Sequence, residues 1–198
     1  MTPQATRIVT VIAAFLAGLL AISVVLLLVV GRTPVQIATP SAIGGPFKLV
    51  DQNGQAVTED ILKGKPSLIF FGFTHCPDVC PTALFDMSEL YKALGRDGDK
   101  VGAYFISVDP ERDTPDVLKE YLSSFDPRLR GLTGDPAAVA AVEKAYRVYS
   151  KKVPLDGGGY TMDHTALVYL MDKDGHFIAP FNLKRKPEEA AADLKRYL

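Results

Sequence analysis

Residues 8–30 read "IVTVIAAFLAGLLAISVVLLLVV", with no charged side chain; Arg7 and Arg32 flank the run, and the first 45 residues contain no Asp or Glu. At about 1.5 Å rise per residue this stretch reaches roughly 34 Å as a helix, enough to cross about 30 Å of hydrocarbon. A cleavable signal peptide would carry a shorter apolar core, about 7–15 residues, with a small-residue cleavage site behind it. Here the run is longer and "GRTPVQIATPSA" offers only a weak site, so the reading is an uncleaved single transmembrane helix over 8–30 behind a short tail, 1–7. No cysteine follows the run, which leaves out a lipoprotein anchor. The segment lacks the Arg-rich amphipathic character of a mitochondrial transit peptide, which favours a bacterial membrane. Positive charge is nearly balanced across the span, with Arg7 before it and Arg32 and Lys48 after it. The very short tail makes amino end inside, body outside the simpler arrangement.

Residues 31–45, "GRTPVQIATPSAIGG", have no periodicity and read as a linker. The body, 46–198, is a usual size for one domain with one core. It holds 20 Lys and Arg against 23 Asp and Glu, formally −3, which is not the balance of a nucleic-acid binder.

Within the body, "FKLVDQNGQAV" carries the hairpin signal Asn53-Gly54. "SLIFFGF", 67–73, and "VGAYFISV", 101–108, are continuous apolar runs of the kind found in buried central strands. Helical spacing covers 81–94. Thr114-Pro115 and Asp135-Pro136 are cap-plus-first-residue signals for two more helices, the first running to Tyr121 or Leu122. "ALVYLMDKDGHFIAPF" reads as a hairpin turning at Asp174-Gly175, and "KPEEAAADLKRYL" as a closing amphipathic helix. The order hairpin, β, α, β, α, α, β, β, α predicts an α/β thioredoxin-like fold, a central mixed sheet flanked by helices.

Both cysteines fall in "FFGFTHCPDVCPTAL". In an exported domain two cysteines are expected to pair, yet closing so short a loop adds little stability. Cys76 and Cys80 therefore read as redox partners or as a metal clip. Cys76 lies past the end of a central strand, and Cys80 precedes Pro81, a residue favoured at a helix start, where unpaired N–H groups favour thiolate. Soft thiolates select Cu(I), Zn or iron–sulfur chemistry. Two are too few for an iron–sulfur cluster from one chain, and a structural zinc would need four ligands.

Three histidines are candidates for a third ligand. His75 adjoins Cys76, and neighbours in an extended chain point to opposite faces. His176 sits beside a turn and reads as solvated. His164 lies in "YTMDHTALVYL", just before a buried strand and after the irregular "VPLDGGGY", in a loop that faces the cysteines in a thioredoxin-like fold. Imidazole suits copper, and two cysteines with one histidine resemble a copper site with a weak or open fourth position.

"FTHCPDVCP", "SVDPERDTP" and "YTMDHT" together resemble the Sco/SenC family, from about Phe47 through the closing helix. The resemblance implies a membrane-anchored copper chaperone that binds Cu(I) and Cu(II) through Cys76, Cys80 and His164. It implies help in assembling the binuclear copper centre of cytochrome c oxidase, whose copper-bearing subunit would be the partner. Other periplasmic copper chaperones and thioredoxin-like reductants are further partners of that reading. Asp163 matches the acidic residue beside the family's histidine. The implied place is a bacterial inner membrane with the body on the periplasmic side; the alternative is the mitochondrial inner membrane facing the intermembrane space.

This reading is a metallochaperone and not an enzyme. Its rivals are a thiol–disulfide oxidoreductase that keeps the oxidase copper-site cysteines reduced, with Cys76 and Cys80 as the redox-active pair, and a copper or redox sensor. Oxidoreductases of this fold normally use two residues between the cysteines and a proline where this chain has Asp163-His164-Thr165. A peroxiredoxin would need proline at 73 and threonine at 77, where the chain has Phe73 and Pro77. The acidic "DPERDTP" loop is either a partner-docking edge or a strand end with a helix cap.

Overall fold

The structure, a computed structural model, describes residues 15–24 and 43–198. The chain divides into two units, Met1–Thr39 and Pro40–Leu198. In the first, residues 15–24 are helical (α1) and all exposed. Among the described residues no helix is long and apolar enough to cross a membrane; the span expected over 8–30 lies mostly outside the described residues.

The second unit runs β1 (Lys48–Asp51), β2 (Ala56–Thr58), β3 (Ser67–Gly72), α2 (Val79–Leu94), β4 (Gly102–Ser107), α3 (Pro115–Leu122), β5 (Leu129–Thr133), α4 (Pro136–Tyr146), β6 (Ser150–Pro154), β7 (Tyr160–His164), β8 (Val168–Met171), β9 (Phe177–Pro180) and α5 (Pro187–Leu194). The two apolar runs become the centre of a seven-stranded sheet, β2-β1-β5-β4-β3-β8-β9. β3 and β4 pair in parallel, and every residue of both is buried. β8 pairs antiparallel with the other side of β3.

Side chains alternate across a strand, so β3 serves two layers. Phe70 and Gly72 face α2: a Cβ on Gly72 would lie 2.8 Å from both Cys80 Sγ and Phe105 Cε2, so only glycine fits there. Gly131, opposite Phe105, faces α3, where a Cβ would meet Leu122 at 2.7 Å. Phe71 points the other way, its ring 5.6 Å from Tyr146 of α4 and 5.6 Å from Tyr169. Helices thus cover both faces of a mixed sheet, the expected thioredoxin-like layout. The expected caps form: Thr114 accepts from the Val117 N–H at 3.4 Å and Asp135 from that of Ala138 at 2.8 Å. Gly54 and Gly175 take the positive φ that their hairpin turns require.

Three features differ from expectation. β5 is an additional strand. It holds five residues, two of them Arg130 and Gly131, too few and too mixed for a periodic signal. β6 and β7 form a separate two-stranded hairpin across "LDGGG", where a loop was expected. β6 is largely exposed, so no apolar alternation marks it. Finally, α2 starts at Val79, two residues ahead of Pro81, which sits in the first turn where its missing N–H costs nothing.

Candidate metal centre

The chain leaves β3 at Gly72 and turns through 73–78 into α2. The Cys76 N–H donates to the Phe73 carbonyl at 3.3 Å, closing that turn. Asp78 stands at the N-cap but makes no side-chain cap bond. The orphan donor of Cys80 instead points at Cys76 Sγ, 3.3 Å away. The sulfur thus occupies the place of a capping oxygen. Both thiols are free; Cys76 is partly exposed and Cys80 is buried. Burial pushes the Cys80 thiol well up, a backbone hydrogen bond with Phe73 opposes this, and Cys76 adds to it.

His164 ends β7, opposite Ser150. Its ring is boxed edge-on by Phe70 and Phe73, with centroids 6.2 and 5.7 Å away. Nδ1 lies 3.1 Å from the Thr165 carbonyl oxygen. A carbonyl only accepts, so Nδ1 carries a proton, and in the neutral ring Nε2 then keeps the lone pair. Nε2 is 3.5 Å from Cys80 Sγ. One ligand atom each from Cys76, Cys80 and His164 lie within 4.8 Å of one another. Two sulfurs and a bare imidazole nitrogen, the second ring nitrogen braced by a backbone carbonyl, form a donor set suited to a soft metal ion.

The "DPERDTP" loop holds this arrangement in place. Asp109 and Asp113 are fully buried. Asp113 accepts from the Thr74 N–H at 3.1 Å, the Thr74 hydroxyl at 2.6 Å and the Ser107 hydroxyl at 2.6 Å, fixing the chain two residues before Cys76. Asp109 accepts from the Tyr160 hydroxyl at 2.8 Å and from Arg112 Nε. Arg112 also donates to the Tyr160 carbonyl at 2.9 Å and stacks on that ring at 3.8 Å. The loop therefore clamps the hairpin that carries His164. Of its acids Glu111 is exposed, paired with Lys152 at 2.5 Å. These roles were missed from sequence; the available signal was an arginine placed between two acids in a proline-bounded strand end.

The other candidates stay apart. His75 is exposed and meets the Thr74 hydroxyl at 3.1 Å. Asp163 is exposed. His176 clusters with Asp172 and Asp174 at the β8–β9 turn, where Asp172 accepts from the backbone N–H groups of both.

A family model described as SCO1/SenC matches residues 35–198. The chain belongs to the SCO1/SenC family. Among solved Sco structures, that of Bradyrhizobium japonicum ScoI with copper bound is 72% identical, has a TM-score of 0.77, and covers 79% of this chain and 99% of that one. A SCO2-like protein of Rickettsia felis is 43% identical over 155 residues, 77% of this chain and 76% of its own length. BsSco, described as a member of the Sco family of cytochrome c oxidase assembly proteins with a disulfide switch, is 26% identical with a TM-score of 0.62, over 81% of this chain and 96% of that one. The sequence resemblance and the thioredoxin-like Sco fold agree.

Proposed function

We propose that this chain binds copper through Cys76, Cys80 and His164 and delivers it to, or helps assemble, the binuclear copper centre of cytochrome c oxidase. The observation that carries this reading is the convergence of two free thiols and a bare imidazole nitrogen within 4.8 Å. Copper is the cargo. The thiolates suit Cu(I), and the imidazole adds the nitrogen that Cu(II) prefers. Each thiol gives up its proton as the ion binds. Cys76, partly exposed, is the ligand through which the ion enters and leaves. Copper bound in a 72% identical relative supports the same choice of ion.

In this reading residues 8–30 anchor the chain in a bacterial inner membrane, residues 31–45 are a linker, and the body, 46–198, stands on the periplasmic side. The partner is the copper-bearing subunit of the oxidase. One observation favours a second reading. The two sulfurs are free and close enough that a small movement joins them, so the pair can instead reduce the oxidase's own copper-site cysteines.

The test is Cys76→Ser and Cys80→Ser, each loaded with Cu(I) against a competing chelator. Either change leaves one thiolate and one imidazole. The expected loss of affinity exceeds the roughly 10–100-fold typical of losing an outer-shell partner. Undiminished binding in either variant would place the site elsewhere.

A further inference from the structure

Phe73 touches both halves of the metal centre. Its carbonyl accepts the Cys76 N–H at 3.3 Å and so closes the turn that carries the sulfurs. Its ring stands 5.7 Å from that of His164 at 88°, an edge-to-face pair. Phe70 makes a second wall, at 6.2 Å and 73°. The two walls are not equal. Phe70 also borders a cavity of about 290 Å³, lined in part by Val79, Leu167 and Phe181, so its ring has room to yield. The buried Phe73 ring lies under the Arg112 guanidinium, 5.8 Å from its centroid, and Asp109 and the Tyr160 carbonyl hold that guanidinium in turn. Phe73 is therefore the firmer wall. A histidine ring needs one. The torsion that turns an imidazole has broad, roughly two-fold wells, so the side chain alone does not choose a plane. The Thr165 carbonyl, 3.1 Å from Nδ1, favours one of the two flips. The Phe73 ring limits how far the plane can swing.

We propose that Phe73 is a positioning residue for the His164 nitrogen: by fixing the imidazole plane it aims Nε2 at the sulfur pair, and so sets how strongly the site holds Cu(II) relative to Cu(I). Nε2 stands 3.5 Å from Cys80 Sγ, and one donor atom from each of the three ligands lies within 4.8 Å of the others. A swing of the ring takes Nε2 out of that set and leaves the sulfurs where they are. Two thiolates satisfy Cu(I), whereas Cu(II) prefers nitrogen, so a wandering ring weakens Cu(II) binding alone. Groups that orient a metal-ligating histidine typically account for about 10–100-fold in affinity.

The inference rests on the copper reading above, and one arm of its test uses metal-free protein, so the two can fail separately. Phe73→Met keeps most of the apolar volume and Phe73→Leu less of it, and both remove the flat wall. Phe71→Leu is the control for lost packing, since the Phe71 ring lies on the other face of the sheet against Tyr146 and Tyr169. With histidine alone isotope-labelled, the three imidazoles of the full chain are followed by nitrogen NMR at a pH where the rings are neutral. His164 of the parent should show a single Nδ1–H form. Both Phe73 variants should show a mixture with the Nε2–H form, and Phe71→Leu should keep the single form. In the loaded proteins, Cu(II) affinity should fall about tenfold in both Phe73 variants, with a broadened thiolate-to-copper absorption, while Cu(I) affinity stays level. Phe71→Leu should leave both affinities unchanged. A His164 spectrum unaltered in both Phe73 variants, or equal losses of Cu(II) and Cu(I) affinity, would overturn the proposal. A parent that takes up no copper at these ligands would sink the copper reading, and the metal-free spectra would still decide on Phe73.

Discussion

Cys80 Sγ and His164 Nε2 stand 3.5 Å apart across 84 residues of chain. One pairing accounts for the contact. β8 runs antiparallel to β3 with Val168 opposite Phe70, so the start of β8 lies beside the end of β3. The cysteines follow that end of β3, and His164 precedes that start of β8 by four residues.

His164→Ala separates metal delivery from thiol exchange. Cu(I) tolerates two thiolates in a nearly linear arrangement, so its affinity should fall only moderately. Cu(II) needs the nitrogen, so its binding and its thiolate-to-copper absorption should be largely lost. The disulfide should still form, because imidazole takes no part in it. Visible spectra and thiol counts on the loaded variant check both halves. Normal oxidase assembly in a cell carrying it, with Cu(II) binding gone, would favour the thiol-reductant reading.

Arg112→Met should loosen the hairpin that carries His164. It strips the buried Asp109 of its ion-pair partner and Tyr160 of its carbonyl donor. Breaking a buried pair costs roughly 3–5 kcal/mol, and partial exposure of Arg112 puts this case near about 3 kcal/mol. Urea unfolding measures the loss. Amide exchange over 150–164 should rise, and Cu(II) affinity should fall more than Cu(I) affinity. Arg112→Lys keeps the charge but not the forked geometry and should recover only part of the effect.

The Cys80 thiol predicts two opposite pH responses. Its folded pKa is raised by burial, so the unfolded chain ionises first as pH climbs. The contribution of the buried neutral thiol is full below the unfolded thiol pKa, about 8.5, and is lost as pH rises from there toward the raised folded value. The reduced, metal-free protein should therefore lose stability in that alkaline window, and Cys80→Ala should lack this part of the slope. Metal affinity should move the other way, rising up to about tenfold per pH unit for each proton the ion displaces. Chelator competition between about pH 6 and about pH 8 reads that slope.

A fragment of residues 46–198 should fold and remain in solution without 1–45. A fragment starting at 43 should be more stable by about 1–2 kcal/mol. Ile43 packs on the core, and the Gly44 N–H donates to the Ala145 carbonyl at 2.9 Å. Denaturation of the two fragments gives the difference. In cells, protease access to the body from the periplasmic side checks the membrane arrangement; protection there would place the body in the cytoplasm.

Much of this protein was legible locally. The buried runs of β3 and β4, the Thr114 and Asp135 caps, and the glycine turns at Gly54 and Gly175 each announce themselves within a few residues, because backbone preference and continuous apolarity act at that range. The spacing of Cys76 and Cys80 likewise limited the chemistry to thiol redox or a soft metal ion before any fold was known. β5 was not legible, since Gly131 is required by the approach of Leu118 and Leu122 from a helix and not by any local turn. Nor was the β6–β7 hairpin, whose strands have no fully apolar face.

Sequence by itself thus determined the sheet centre, the helix starts and the soft donors. Only tertiary structure decided which acids are interior and how the donors meet. Asp113 reaches back 39 residues to Thr74, and Asp109 reaches 51 residues forward to Tyr160. Burial of a carboxylate depends on donors supplied by such distant segments, and no window of neighbouring residues contains that information.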